Sequence, residues 1–79
     1  MIPLYGFLEG DTIGLLVLAQ PDDTIGALAE KLRASAAVRV VLRGPVLVRY
    51  GERVLDPQIT VARAGLTALD RFDVVAERT

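Results

Sequence analysis

The sequence contains no cysteine and no histidine among its 79 residues. Without cysteine the chain can form no disulfide, no zinc–thiolate site and no thiol nucleophile, which suits a reducing compartment such as the cytoplasm. Without histidine it lacks the usual general base near neutral pH and the commonest metal ligand. The hydroxyl groups of Ser35 and Thr60 therefore have no histidine to activate them. We expect no catalytic residue, no metal site and no cofactor-binding residue, and so no enzyme.

The chain also lacks an excess of charge of one sign and a long apolar run. Its formal net charge is −1 and its eight arginines are scattered, so we expect no nucleic-acid partner. No apolar stretch approaches the roughly 20 residues that cross a bilayer. Glu9 and Asp11 interrupt the apolar N-terminal residues, so we predict neither a secretory signal nor a membrane partner, and a cytoplasmic location. The length predicts a single domain, residues 1–79.

Residues 24–36 predict the main helix. Their apolar side chains recur at the spacing of one helical face, and their charged side chains fall on the other face. The predicted buried face consists of Ile25, Leu28, Ala29, Leu32 and Ala36. Thr24 is a suitable N-cap, and Asp22 and Asp23 place negative charge near the positive end of the helix dipole. We assign these aspartates to the helix start rather than to a paired-carboxylate site.

Short apolar segments bounded by glycine, proline and aspartate predict the strands. They are residues 2–8, 12–19, 46–50, 54–55 and 72–76, with a helical turn from Thr60 to Gly65 before the last strand. Residues 36–43 fit a helix end, a strand or a loop. Because the first and last strands can pair in parallel through right-handed crossovers, the order predicts an α+β fold. It is the β-grasp, or ubiquitin-like, arrangement, with a mixed four- to five-stranded sheet packed on one main helix.

The first two strands are apolar on both faces, although a solvent-facing sheet should alternate with polar residues. In one assignment the side chains that face the helix are Tyr5, Phe7, Ile13, Leu15 and Val17. Leu4, Leu16 and Leu18 then face away. Either the register differs from this assignment, or the outward leucines form a second face that another protein covers. In the second case the candidate partner-binding leucines are Leu4, Leu16, Leu18 and Leu47.

Four arginines around the third strand form a second candidate partner surface. Arg39 and Arg43 are four residues apart, and Arg49 and Arg53 flank the third strand and the turn after it. A loose arginine-bearing edge suits contact with an acidic protein. Ordinary solvation of the surface is the alternative explanation.

Two short motifs resemble ubiquitin. Glu9-Gly10-Asp11-Thr12-Ile13 stands where ubiquitin has its first hairpin turn, and Pro21-Asp22-Asp23-Thr24-Ile25 resembles the helix entry of ubiquitin-like proteins. A hairpin turn and a helix cap are structural requirements. This resemblance therefore implies the fold and not a function.

A longer pattern resembles the small B subunit of toluene-4-monooxygenase systems. The segments that carry it are Asp23-Thr24-Ile25 through Ala29-Glu30-Lys31-Leu32, Val46-Leu47-Val48-Arg49, Thr60-Val61-Ala62-Arg63-Ala64-Gly65-Leu66 and Phe72-Asp73-Val74-Val75. The resemblance implies a bacterial, non-catalytic subunit that docks on and braces the large hydroxylase subunit of a carboxylate-bridged diiron monooxygenase. The irons and the oxygen chemistry would belong to the large subunit, since this chain has no Glu-x-x-His pair.

A second resemblance leaves an alternative open. Gly65-Leu66 followed by Asp70-Arg71-Phe72 is similar to the small ubiquitin-like protein of type VII secretion systems, which implies a free-standing protein-interaction module. Conjugated modifiers and sulfur carriers of this fold end in Gly-Gly, whereas this sequence ends in Ala76-Glu77-Arg78-Thr79. We therefore expect no covalent conjugation.

Overall fold

The computed structural model describes residues 1–78, which form one mixed sheet and two helices. The elements are β1 (Ile2–Leu8), β2 (Leu15–Ala19), α1 (Ile25–Ala36), β3 (Val46–Tyr50), β4 (Arg53–Leu55), α2 (Val61–Ala64) and β5 (Arg71–Ala76). The strand order is β2-β1-β5-β3-β4. β1 and β5 pair in parallel, and the other three pairs of neighbouring strands are antiparallel. The α+β fold and its parallel central pair are as predicted.

Helix α1 begins and ends where the sequence predicts. The hydroxyl of Thr24 accepts the N–H of Ala27 at 3.1 Å, and all five residues of the predicted apolar face are buried. Asp23 stabilises the start of the helix through its side chain, which accepts the N–H of Gln20 and the Nζ of Lys31, each at 2.8 Å. This carboxylate thus connects the end of β2 to α1. Neither described helix is long and apolar enough to span a membrane.

Residues 36–43 are a helix end followed by a loop. The carbonyl of Ala36 accepts the N–H groups of both Arg39 and Val40 at 2.9 Å, which closes the last turn. The guanidinium of Arg33 then donates to the carbonyls of Leu42 and Gly44, and so holds the loop against the helix. Of the three structures that the sequence allowed here, the strand is excluded.

The core lies between α1 and the face of the sheet that packs on it, the inner face. Its strand residues are buried and aliphatic or aromatic, namely Leu4, Leu8, Val17, Ala19, Val48, Leu55, Phe72 and Val74. Gly6 also lies on this face, where an added Cβ would come within 2.8 Å of Phe72 and 2.9 Å of Leu32. The missing side chain of Gly6 therefore lets Phe72 and Leu32 pack against β1. No polar or charged residue of the described chain is fully buried.

The predicted orientation of β1 is wrong. Leu4 pairs with Val17 and Tyr5 pairs with Leu16 across the β1–β2 ladder. Because paired residues share a face, Leu4 is 0% exposed in the core, whereas Tyr5 and Phe7 point away from α1. Leu4 is therefore not available to a partner, contrary to its place among the candidate partner-binding leucines.

Candidate functional site

The face of the sheet opposite α1, here called the outer face, is left uncovered by the described residues. It carries the side chains that alternate along the strands with those of the inner face. They are Pro3, Tyr5, Phe7, Leu16, Leu18, Leu47, Arg49, Val54, Arg71, Asp73 and Val75. The outer face divides into an apolar half on β2 and β1 and a half on β5 and β3, here called the charged half. The charged half carries Arg49, Arg71 and Asp73 beside the apolar pair Leu47 and Val75.

The apolar half consists of neighbouring side chains on paired strands. Leu16 lies opposite Tyr5, and Leu18 lies opposite Pro3. Leu16 is 56% exposed, Leu18 48% and Tyr5 43%. Leu69, also exposed, lies near the start of β1, where its N–H donates to the carbonyl of Pro3. Single exposed leucines are common on soluble proteins, whereas adjoining ones are typical of binding surfaces.

The charged half is built around Arg71 of β5. Its guanidinium lies over the ring of Phe7, 3.9 Å from the centroid. It also donates from Nε to one oxygen of Asp73 at 2.9 Å and from Nη2 to the other at 3.2 Å. These hydrogen bonds to Asp73 raise the pKa of Arg71 above its usual value. Arg71 is thus fixed by a ring and a carboxylate on the same face.

A shallow, open depression of about 440 Å³ lies in the charged half. Its lining residues are Arg49, Tyr50, Gly51, Arg71 and Asp73. Arg49 lies opposite Asp73 in the β3–β5 ladder, so the two arginines flank one carboxylate. Such a surface can bind by apolar contact and by guanidinium hydrogen bonds. No three side chains of residues 1–78 are placed to hold a metal ion.

The predicted partner-binding leucines separate into two groups. Leu16, Leu18 and Leu47 lie on the outer face, whereas Leu4 is in the core. Contact between the three outer leucines and a partner stays a prediction.

The four predicted arginines do not form one edge. Arg39 donates from Nη2 to Asp11 at 2.8 Å, which lowers the pKa of Asp11 and joins the end of α1 to the β1–β2 turn. Arg53 lies over the ring of Tyr50 and donates to the carbonyl of Ala64 at the end of α2. Arg43 is exposed in the loop before β3. Of these four, Arg49 alone projects from the outer face.

Sequence reasoning missed Tyr5, Phe7, Arg71 and Asp73 as outer-face residues. The alternation of residues along the last strand could have identified Arg71 and Asp73, because residues two apart on a strand share a face. Arg71 and Asp73 alternate with the apolar Phe72 and Val74, and so belong on the face opposite the core. For Tyr5 and Phe7 no such signal exists, because the other positions of β1 are equally apolar.

Comparisons with known proteins place the chain among small monooxygenase components and ubiquitin-like folds. The family model described as Toluene-4-monooxygenase system protein B (TmoB) matches residues 1–75. The chain is similar, at 28% identity and a TM-score of 0.88, to a chain of a toluene 4-monooxygenase HD complex with the inhibitor 4-bromobenzoate, covering 96% of this chain and 98% of that one.

Two further solved structures show the fold alone. One is the ubiquitin of Caldiarchaeum subterraneum, with 19% identity, a TM-score of 0.75 and coverage of 99% of this chain and 95% of that one. The other is a ubiquitin-like domain of an Arabidopsis thaliana protein, with 15% identity, a TM-score of 0.73 and coverage of 99% and 79%. No curated protein matches the chain.

Proposed function

Since the chain belongs to the toluene-4-monooxygenase system protein B family, we propose that it is a non-catalytic accessory subunit of a toluene-type diiron monooxygenase. In this proposal it docks on the large hydroxylase subunit and braces it. Support comes from the family match over residues 1–75 and from the 28% identical chain, which is part of a toluene 4-monooxygenase complex. These matches favour a monooxygenase component over the free-standing module that resembles type VII secretion proteins.

The uncovered apolar half of the outer face is the observation that supports docking most directly. Leu16, Leu18 and Tyr5 are each between 43% and 56% exposed, although they adjoin one another on paired strands. Covering such side chains with a partner removes apolar area from water, at roughly 25 cal/mol per Å². Tyrosine is also enriched in protein interfaces because it combines an apolar ring with a polar tip.

The proposal assigns this chain no reacting group. It has no histidine and no cysteine. Oxygen activation and substrate oxidation are assigned to the large subunit. The accessory chain would contribute binding free energy and rigidity to the assembly.

The proposal is tested by co-purification with the hydroxylase subunit of the same organism, followed by native mass spectrometry. Leu16→Asp should weaken the complex at least about tenfold, because it places a charge in the covered interface. Val38→Asp is the matched control, since Val38 is 88% exposed and follows α1, away from the outer face. A complex that forms equally well with Leu16→Asp would contradict docking through the apolar half. If wild type forms no complex, the accessory role fails.

A further inference from the structure

We propose that the depression in the charged half of the outer face receives an aspartate or glutamate side chain of the hydroxylase subunit, with Arg49 as its main hydrogen-bond donor. The inference rests on the proposed function and names the chemistry of one contact within it.

The charges that line the depression leave one guanidinium unneutralised. Arg49 and Arg71 together carry two positive charges, and Asp73 carries one negative charge. Both oxygens of Asp73 accept hydrogen bonds from Arg71. Within residues 1–78, the side chain of Arg49 makes no ion pair. The depression therefore has a net charge of +1 that a single partner carboxylate would balance.

The second arginine is already ordered for this role. Arg71 is held by the ring of Phe7 and by Asp73, so its side chain would lose little further conformational entropy on binding. A guanidinium is a planar fork of N–H donors that matches the two oxygens of a carboxylate. Gly51, which follows β3, lines the depression without adding a side chain to it.

A carboxylate carried by a protein partner suits this site better than a free anion. The depression is open to water, where an ion pair gains little and is screened by salt. A subunit that covers the outer face would exclude water and strengthen the same pair. The depression is also continuous with the apolar half, because Arg71 lies beside Tyr5 in the β1–β5 ladder. One docking event could therefore cover both halves.

The test measures the dissociation constant of the complex between the full chain and the hydroxylase subunit. Arg49→Ala should weaken binding about tenfold and Arg49→Glu about a hundredfold. Arg63→Glu is the matched control, since Arg63 is exposed on α2 and its substitution changes the net charge by the same amount as Arg49→Glu. Raising sodium chloride from about 0.05 M to about 0.5 M should weaken wild type more than Arg49→Ala. The melting temperatures of all variants are measured to confirm folding.

Arg49→Lys gives a direct readout of the partner group. The chain has a single lysine, Lys31, so the variant adds one amine at the depression. A carbodiimide, which joins amines to carboxylates without a spacer, should crosslink residue 49 to an aspartate or glutamate of the hydroxylase subunit. Mass spectrometry of the digested complex identifies the pair. A crosslink from residue 49 to a second copy of this chain would overturn the proposal.

The two sets of variants separate the two proposals. If Arg49→Glu binds within about threefold of wild type while Leu16→Asp does not, the carboxylate contact is wrong and the accessory role remains. If Arg49→Glu binds the hydroxylase subunit weakly and Leu16→Asp binds it as wild type does, the carboxylate contact is supported and docking through the apolar half fails.

Discussion

The inner and outer faces of the sheet are both rich in apolar residues, yet they lie in different environments. On the inner face Leu4, Phe72 and Val74 are fully buried against α1. On the outer face Leu16 and Leu18 remain about half exposed. Hydrophobic residues on the inner face are explained by the core that they fill. Those on the outer face contribute little to the fold, so a partner is the simplest reason for them.

Charge separates the two faces more clearly than hydropathy does. The inner face contains no fully buried charged residue within the described chain. The outer face carries Arg49, Asp73 and Arg71 on two adjacent strands. Charged side chains on a sheet face are hydrated while that face is open, and a partner that covers them has to supply counter-charges in place of the water. The pattern fits a face that a partner covers in an assembly and that can also face water in the isolated chain.

Leu28→Asp tests the inner side of this comparison and should have the largest effect. Leu28 is 0% exposed, so the variant buries a carboxylate without a partner, at a cost of about 4 kcal/mol or more. A domain of this size is stabilised by roughly 4 to 12 kcal/mol, so the variant should be largely unfolded. Circular dichroism melts measure this.

The matched variant on the outer face is Leu16→Asp. It should change the free energy of unfolding of the isolated chain by less than about 0.5 kcal/mol, because the new carboxylate stays hydrated. If Leu16→Asp unfolds the isolated chain, or if Leu28→Asp melts like wild type, the distinction between the two faces is wrong.

The elements that depend on local sequence could be predicted. Helix α1 follows from apolar spacing and from a cap at Thr24, both of which are set by neighbouring residues. Strands β1 and β3 have the predicted ends. β2 starts at Leu15, three residues later than predicted, because the carboxylate of Asp11 accepts the N–H of Ile13 and extends the turn.

The features that depend on distant pairing could not be predicted. The orientation of β1 is set by the packing of Phe72 and Leu32 against Gly6, and these residues are far apart in the chain. Likewise, the ion pair of Arg39 with Asp11 spans 28 residues. At the site, one assignment of the first two strands predicts that Leu16 and Leu18 face outward, together with Leu4, which is in fact buried. The depression, in contrast, requires β3 and β5 to be neighbours. No local pattern in the sequence specifies that contact.

Two glycine substitutions compare how tightly the inner and outer faces are packed, with smaller expected changes in the free energy of unfolding. Gly6→Ala should destabilise the fold by about 1 to 3 kcal/mol, because the added methyl would overlap Phe72 and Leu32, which are fully buried. Gly14→Ala would place a methyl 2.5 Å from the ring of Phe7. That ring is only half-buried on the outer face and has solvent beside it, which the buried ring of Phe72 lacks, so the cost should be below that of Gly6→Ala. Urea denaturation measures both costs, and equal values would show that the two faces are packed equally tightly.

Asp70→Asn tests the rim between the two faces and should have the smallest effect. The carboxylate of Asp70 accepts the N–H of Thr67 at 2.9 Å and the hydroxyl of Tyr50 at 2.8 Å. The hydrogen bond from the backbone N–H of Thr67 has the larger effect, and together the two bonds lower the pKa of Asp70 below its usual 3.8. The unfolded chain therefore binds this proton first on acidification, and the carboxylate stabilises the fold above pH 3.8. That stabilisation is lost as the pH falls through the lower native pKa.

Asp70→Asn should therefore lower the melting temperature only slightly near pH 7, and the difference from wild type should shrink as the pH falls below about 3.8. Asp22→Asn is the control, since Asp22 is exposed and its side chain makes no hydrogen bond within residues 1–78. A difference between Asp70→Asn and wild type that is the same at every pH would mean that the hydrogen bonds at the rim do not depend on the charge. The rim would then resemble the inner face, where the packing of apolar side chains rather than charge holds the residues together.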